Sequence, residues 1–370
     1  VSDLPEIWDS LSASNVFLSK NYLKVLEESA PNNMKCHFIG LWDNSTLIGI
    51  ALAQFIDLNQ LTTFGQRDHG LKTLIRNFIF KNFSSHVLFL GNNMLTGQNA
   101  LMLHPNCNET LAFTTLKNAI SDLKHRYKSI HKKIHLTSIK DFEKNQISNF
   151  QKTVFTKEYR FSTQPNMVFT ILSEWKSEED YVTALLKKYR DQYKRARKKG
   201  EGIQKRKMHL EDIIRYEKTI YNLYFHVAKN APFNTFFLAE NHFRKLKENL
   251  KDKFLFYGYF SGDTLIGFNT LIKNGSVIDT YFLGYDETIQ KDKMLYLNML
   301  YDMIGYSIKH GYQQIIFART ALEIKSSVGA KPVPMFGLLQ HSNPIIHAKI
   351  GTIFNYLEPK TIWNQRQPFK

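Results

Sequence analysis

The tetrapeptide Thr-Leu-Ile-Gly occurs twice, at 46–49 and at 264–267, each time closing a ten-residue stretch that opens on glycine: GLWDNSTLIG from Gly40 and GYFSGDTLIG from Gly258. Four shared letters prove little, so the test of a repeat is whether the flanks recur in the same order. They do. Upstream, VFLSKNYLKVLEES from Val16 and FFLAENHFRKLKEN from Phe236 share Phe17/Phe237, Leu18/Leu238, Asn21/Asn241, Leu26/Leu246 and Glu28/Glu248 at a constant offset of 220, against 218 for the tetrapeptides. Downstream, VLFLGNNM from Val87 and DTYFLGYD from Asp279 share Phe-Leu-Gly. The chain therefore reads as two copies of one unit, and its 370 residues, 43% hydrophobic, supply a core for each.

Within a copy, periodicity gives an amphipathic helix, an apolar strand (CHFIGLW or FLFYGYF), a turn (Asp43-Asn44-Ser45 or Ser261-Gly262-Asp263) and a return strand beginning at the tetrapeptide. Its glycine marks a bulge, a close backbone approach or a packing need. The second copy continues with the strand GSVIDTYFLGYD and a helix that Asp292 can cap. Leu295, Met299 and Met303 form that helix's apolar stripe, Lys309, His310 and Gly311 its stop, and the strand YQQIIFAR follows. The first copy carries about 25 extra residues around GQRDHGLKTLIRNFIFKNFSS, which read as a helix. Strands alternating with helices in two copies indicate α/β (α+β) architecture: two units, each a mixed, mostly antiparallel sheet flanked by helices. The expected division is 1–165, the degenerate copy, and 166–370, opened by a basic helix over 178–199.

The formal charge of +16 calls for an anionic partner, and residues 187–207 hold eleven Lys or Arg against Asp191 and Glu201. Ser177 opens a capping-box pattern, and Tyr181, Leu185, Tyr189, Tyr193 and Ala196 form an apolar face. The opposite, basic face, with Arg190, Arg195 and Arg197, is either a solvated surface or a site for a polyanion: an acyl carrier protein, a tRNA acceptor stem or an anionic membrane surface. Its tyrosines fall on the apolar stripe, so sequence-specific nucleic-acid reading is not expected. Cys36 and Cys107 form no Cys-x-x-Cys, and no His cluster has metal-ligand spacing, which excludes a disulfide framework or zinc ribbon and leaves two inert, buried thiols. The sequence has no run of 18 apolar residues and no signal-peptide blocks in VSDLPEIWDS, so the expected location is cytoplasmic, at most peripheral at the inner membrane face.

Three patterns resemble the tandem GNAT acyltransferases, in particular the Fem-type aminoacyl transferases and related bacterial GNAT-like N-acyltransferases. These are YRDQYKRARKKG (189–200), the repeated Phe-Leu-x-x-Asn helix with its hairpin, and FARTALEIKSSVGAKP (317–332). The likeness covers about residues 15–335. It implies an N-acyltransferase that takes an acyl or aminoacyl group from acyl-CoA, acyl carrier protein or aminoacyl-tRNA to an amine of a cell-envelope or lipid precursor. No permanently bound cofactor is implied, since the acyl carrier is a co-substrate. The family's pyrophosphate loop is glycine-rich, whereas Gln290 to Leu295 has no glycine and offers the helix start with Lys291 and Lys293. Gly91 to Gly97 of the first copy is richer in backbone donors, although it also reads as a plain loop. A rival from another class is a non-catalytic protein that binds RNA or an anionic membrane through the basic helix.

Acyl transfer to an amine needs a base, an acid and donors for the oxyanion. In extended structure Asp279 and Tyr281 share a face that Leu283 and Tyr285 continue. Arg319, Glu323 and Lys325 follow the next strand. If that segment is helical, Arg319 and Glu323 make a surface i, i+4 pair; if it is extended, Glu323 and Lys325 face one pocket, with Glu323 as the base. Asn234 and Asn298 complete the candidate substrate-binding set, and His226 is read as structural. The expected site is a concave pocket bordered by Asp279 or Glu323 with Tyr281 or Tyr285, and with Lys325 at its rim.

Overall fold

The computed structural model describes residues 1–60, 84–231, 234–357 and 363–370. The helix read from the insertion falls on 61–83 and lies outside the described residues. The chain forms two compact units, one from 1–163, 235–238 and 334–361, the other from 164–234, 239–333 and 362–370.

The first unit begins with α1 (Trp8–Leu11) and α2 (Lys20–Ser29), the latter capped by the Ser19 side chain. The hairpin β1 (Met34–Asp43) and β2 (Thr46–Asp57) follows, then β3 (His86–Leu90), β4 (Leu101–Leu103), α3 (Glu109–Ser129), β5 (Leu136–Phe142) and α4 (Lys144–Thr153). The sheet order is β1-β2-β3-β5 and then the late strand Lys331–His341, with β4 on β2. Only β3–β5 is parallel. Apolar residues of α3, such as Ala112, Leu116 and Ile120, pack on Leu88, Leu90, Ile139 and Leu338 of the sheet to form this unit's core.

The second unit opens with β6 (Tyr159–Thr170), α5 (Glu178–Ala184) and α6 (Lys187–Lys199), followed by β7 (Ile203–Lys207), α7 (Leu210–Arg215), α8 (Glu217–Lys229) and α9 (His242–Leu250). Next come β8 (Phe254–Ser261), β9 (Thr264–Asn274), β10 (Val277–Tyr285), α10 (Glu287–Lys293), α11 (Leu295–Lys309), β11 (Gln314–Ala318) and α12 (Leu322–Ser327). Its sheet runs β6-β11-β10-β9-β8-β7, with β10–β11 parallel and the other pairs antiparallel. One face is covered by α11, whose Leu295, Met299, Met303 and Ile304 are buried against Ile266, Leu271 and Ile278. On the other, Phe243 of α9 meets Phe256 and Phe268 edge-on.

The repeat is conserved down to register. Gly49 pairs with Leu41, after which the register shifts so that Leu47 meets Trp42; Gly267 pairs with Tyr259, after which Leu265 meets Phe260. The same one-residue bulge, with Ile48 or Ile266 as the extra residue, sits in both hairpins. Close packing also applies, since a Cβ on Gly267 would stand 2.9 Å from Met299 and 3.1 Å from the Gly284 carbonyl.

Two helix limits differ from the sequence reading. The basic helix breaks at Leu185-Leu186, both extended. Leu185 is fully buried there, and the Leu186 N–H donates to the Pro368 carbonyl at 2.7 Å instead of continuing a helix. Asp292 caps nothing: it lies in α10, which Asp286 caps, while α11 starts after Met294 in the left-handed conformation (φ 47°). The capping box at Ser177 forms with Asp180.

Candidate active site

The parallel pair β10–β11 holds for three rungs, Val277–Gln314, Ile278–Ile315 and Asp279–Ile316, and then parts. At the fork the Thr280 hydroxyl donates to the Ile316 carbonyl at 2.9 Å. Beyond it, three non-glycine residues adopt positive φ within four positions: Ala318 (59°), Thr320 (66°) and Ala321 (46°). Such conformations cost about 1–3 kcal/mol each and persist where surrounding contacts hold them. Lys325 of α12 supplies such contacts, its Nζ donating to the Arg319 carbonyl at 2.6 Å and to the Ala318 carbonyl at 3.4 Å. Burial pushes the Lys325 amine down to about 7, and burial of Arg319, whose Nε donates to the Gln164 carbonyl at 3.0 Å, brings it down to about 10.

Asp279 is the last paired residue before the fork and is 4% exposed. Loss of solvent raises its carboxyl to about 7, opposed by a hydrogen bond from Asn274 Nδ2 at 3.4 Å. A carboxyl in that range exchanges protons at neutral pH. Tyr281 lies on the same face, its hydroxyl 2.9 Å from Nε2 of His242, which is fully buried at the start of α9. The expectation that Leu283 and Tyr285 continue this face fails. The register shifts between Thr280 and Leu283, and this bulge reverses the alternation. Asp279 then aligns with Ile272 and Phe254, but Tyr285 with Gly267 and Tyr259 on the opposite face, where its ring lies 6.3 Å from Tyr296.

The segment after β11 is helical, so Glu323 and Lys325 do not face one pocket. Glu323 is about half exposed and ion-paired with Arg366, not with Arg319. Together with the bond from Arg366 N–H to Ser326 Oγ at 3.0 Å, it clips the C-terminal segment to α12. Lys325 points inward rather than standing at a rim. Lys325 is held by the Arg319 and Ala318 carbonyls and Asp279 by Asn274, so each has its own partner. Asn234 Nδ2 reaches the Ala228 carbonyl at 3.3 Å, ending α8, and His226 meets Glu287 at 2.6 Å. Asn298 turns back to the Ala196 carbonyl at 2.8 Å, and a Cβ on Gly200 would lie 2.9 Å from its Nδ2. The exit of α6 thus abuts the start of α11, where Lys293 Nζ donates to the Glu201 carbonyl at 3.3 Å. Lys291 lies beside it in the last turn of α10.

The basic helix divides its arginines. Arg197 points inward, ion-paired with Glu178 and with Asp302 at 2.7 Å. Asp302 also accepts from the Tyr259 hydroxyl at 2.8 Å and lies 3.8 Å from Lys205. Tyr193 OH donates to Glu178 at 2.9 Å, completing a polar network under α6. Arg190 donates to the Leu185 carbonyl at 2.7 Å, closing the break before α6. Arg195 faces solvent with Lys187, Lys188, Lys194, Lys198 and Lys199. Sequence reasoning missed His242, Thr280 and the strained turn. His242 alone had a signal, since it stands at the repeat position of Tyr22.

No family model matches the sequence, and no curated protein matches it. Solved structures do. FemX superposes with a TM-score of 0.52 at 11% identity, covering 95% of this chain and 97% of that one. A conserved protein of unknown function from Bacteroides thetaiotaomicron gives 0.51 at 10% identity over 91% and 98%. L-PGS from Bacillus licheniformis gives 0.50 at 10% identity over 91% and 96%. The mixed α/β two-unit fold expected from the repeat, and its Fem-like form expected from the family resemblance, are therefore the fold of this chain. Cys36 and Cys107, against expectation, are only partly buried as residues, although burial of the Cys36 thiol raises its pKa to about 12.

Proposed function

We propose that this chain is an N-acyltransferase that moves an acyl or aminoacyl group from a macromolecular carrier onto an amine of a cell-envelope or lipid precursor, with its chemistry in the second unit. The observation that carries the reading is the fork after Asp279, where a parallel strand pair opens beside a carboxyl that titrates near 7. The amine must enter neutral, since an ammonium nitrogen has no lone pair to attack with, and the base takes the proton that the nitrogen sheds as it bonds to the carbonyl carbon. Asp279 fills that role in place of Glu323. Backbone N–H groups of β10 freed beyond the fork stabilise the oxyanion. When the carbon–sulfur or carbon–oxygen bond to the carrier breaks, the leaving group departs with the electron pair and takes a proton from Tyr281, held by His242. Arg319 and Lys325 shape the turn and do not bind substrate.

A carrier-held donor is favoured over free acyl-CoA because the start of α11, where a pyrophosphate would meet helix N–H groups, abuts Gly200 and Glu201. The exposed cations of α6 suit an acyl carrier protein or tRNA. The test is transfer to a primary amine from acyl-CoA, acyl carrier protein and aminoacyl-tRNA, guided by mass spectrometry of copurifying ligands. Transfer from a carrier, lowered roughly 10²-fold in Asp279→Asn with carrier binding intact, supports the reading. Salt-sensitive RNA or vesicle binding without transfer from any donor sinks it.

A further inference from the structure

We infer that the first unit binds a small monocarboxylate with an apolar body in a cavity between α3 and the sheet. The inference does not rest on the acyl-transfer reading. The cavity has a volume of about 250 Å³. Its floor is apolar: Ile139 and Leu338, a cross-strand pair 2% and 1% exposed, with Phe155 at one end. Its walls carry two ammonium groups and one carboxylate. Lys117 is neutralised, lying 3.6 Å from Glu158 and donating to the Val154 carbonyl at 2.7 Å. Lys124 is different, because among the described residues its hydrogen-bond partner is the neutral Gln340 Oε1 at 2.8 Å and it has no ion pair. Burial lowers its pKa, a shift that Glu158 only partly offsets and Lys117 adds to, and a ligand anion beside it would raise it again.

The charge count selects the ligand. One uncompensated ammonium matches one negative charge, whereas a phosphate dianion would leave charge unmatched in a partly desolvated site. An apolar floor beside polar walls with one net positive charge is the composition of a small-ligand pocket, and the volume limits the occupant to roughly ten non-hydrogen atoms. A free carboxylic acid and the C-terminal end of an apolar peptide present the same chemistry.

The test is titration of the full chain with phenylacetate, followed by ligand-observed NMR and calorimetry, with phenylacetamide as the uncharged control. Phenylacetate is expected to bind one site with a Kd of about 1 mM or tighter, and phenylacetamide at least about tenfold more weakly, as expected from loss of a charge-assisted bond. Lys124→Met is expected to weaken phenylacetate about tenfold and Lys124→Arg to restore it. A peptide ending in Gly-Phe that binds more tightly than phenylacetate names a peptide terminus as the source; weaker binding names the free acid. Equal affinity for phenylacetate and phenylacetamide in the wild-type chain, or no binding of phenylacetate at about ten times the expected Kd, overturns the inference whether or not the variants fold.

Discussion

The two units carry the same fork and treat it oppositely. In the first, β3 stays paired with β5 through all four rungs from Val87 to Leu90, and Gly91 then passes beneath Lys140, so closely that a Cβ would stand 2.5 Å from Lys140 Cγ. Side chains bind the exit together: Asn93 donates to Gln54 Oε1 from its backbone at 2.7 Å and its amide at 3.0 Å, and Asn92 Nδ2 donates to the Tyr22 hydroxyl at 3.0 Å. In the second unit pairing ends after three rungs, the turn beyond is strained, and the repeat position of Tyr22 holds His242, bonded to Tyr281. The duplicated hairpins kept their bulge while the forks diverged. Hairpin geometry is thus held by packing, and the two units differ at the few residues where strands separate.

The comparison breaks most visibly at the bases of the forks. Asp279→Asn is expected to lower transfer roughly 10²-fold, whereas Lys140→Met in the first unit leaves the per-molecule rate of the folded protein within about twofold; equal losses would show that both forks react. Next in size is the network under α6. Arg197→Met leaves Glu178 and Asp302 facing each other without their shared cation and should cost about 2 kcal/mol in urea unfolding, less than a fully buried pair because Arg197 is 29% exposed. Gly284→Ala should cost about 1–3 kcal/mol, since the new Cβ meets the α8 backbone at Leu223 and Tyr224 at 2.6 Å.

Lys325 provides a prediction in pH. Its folded pKa is about 7 against 10.5 for the free side chain, so between those values the unfolded chain holds the extra proton and stability rises with pH. Relative to Lys325→Met, the wild-type chain should gain on the order of 1 kcal/mol per pH unit in that window, measured by urea unfolding; parallel curves would mean that the amine is not desolvated. The smallest effect is expected at Arg195→Glu, which should shift stability by less than about 0.5 kcal/mol while weakening carrier binding severalfold and reducing its salt dependence.

The repeat, the hairpins, the strands of the second unit and the stripe of α11 were legible because each follows a period or a local turn signal that does not depend on distant contacts. Three features were not. The break at Leu185-Leu186 comes from a contact with Pro368, nearly two hundred residues away. The reversal of Tyr285 comes from a bulge that alternation alone cannot reveal. The inward turn of Arg197 depends on Asp302 arriving from another helix, so a uniform basic face in sequence became one inward-facing, partly buried arginine, one capping arginine and one exposed arginine. At the fork, Asp279 was legible as an acid in an apolar strand. Glu323 was not separable from it, since only the helix after β11 decides that its carboxylate meets Arg366.

The most direct test of the claim that transfer occurs at the second fork is the pH dependence of kcat/KM for the amine acceptor, in the wild-type chain and in Asp279→Asn. A base that titrates near 7 must be deprotonated to act, so the wild-type rate should rise with pH through an inflection near 7, and the variant should keep only a slow reaction lacking that inflection. An inflection near 7 that persists unchanged in Asp279→Asn would contradict the account.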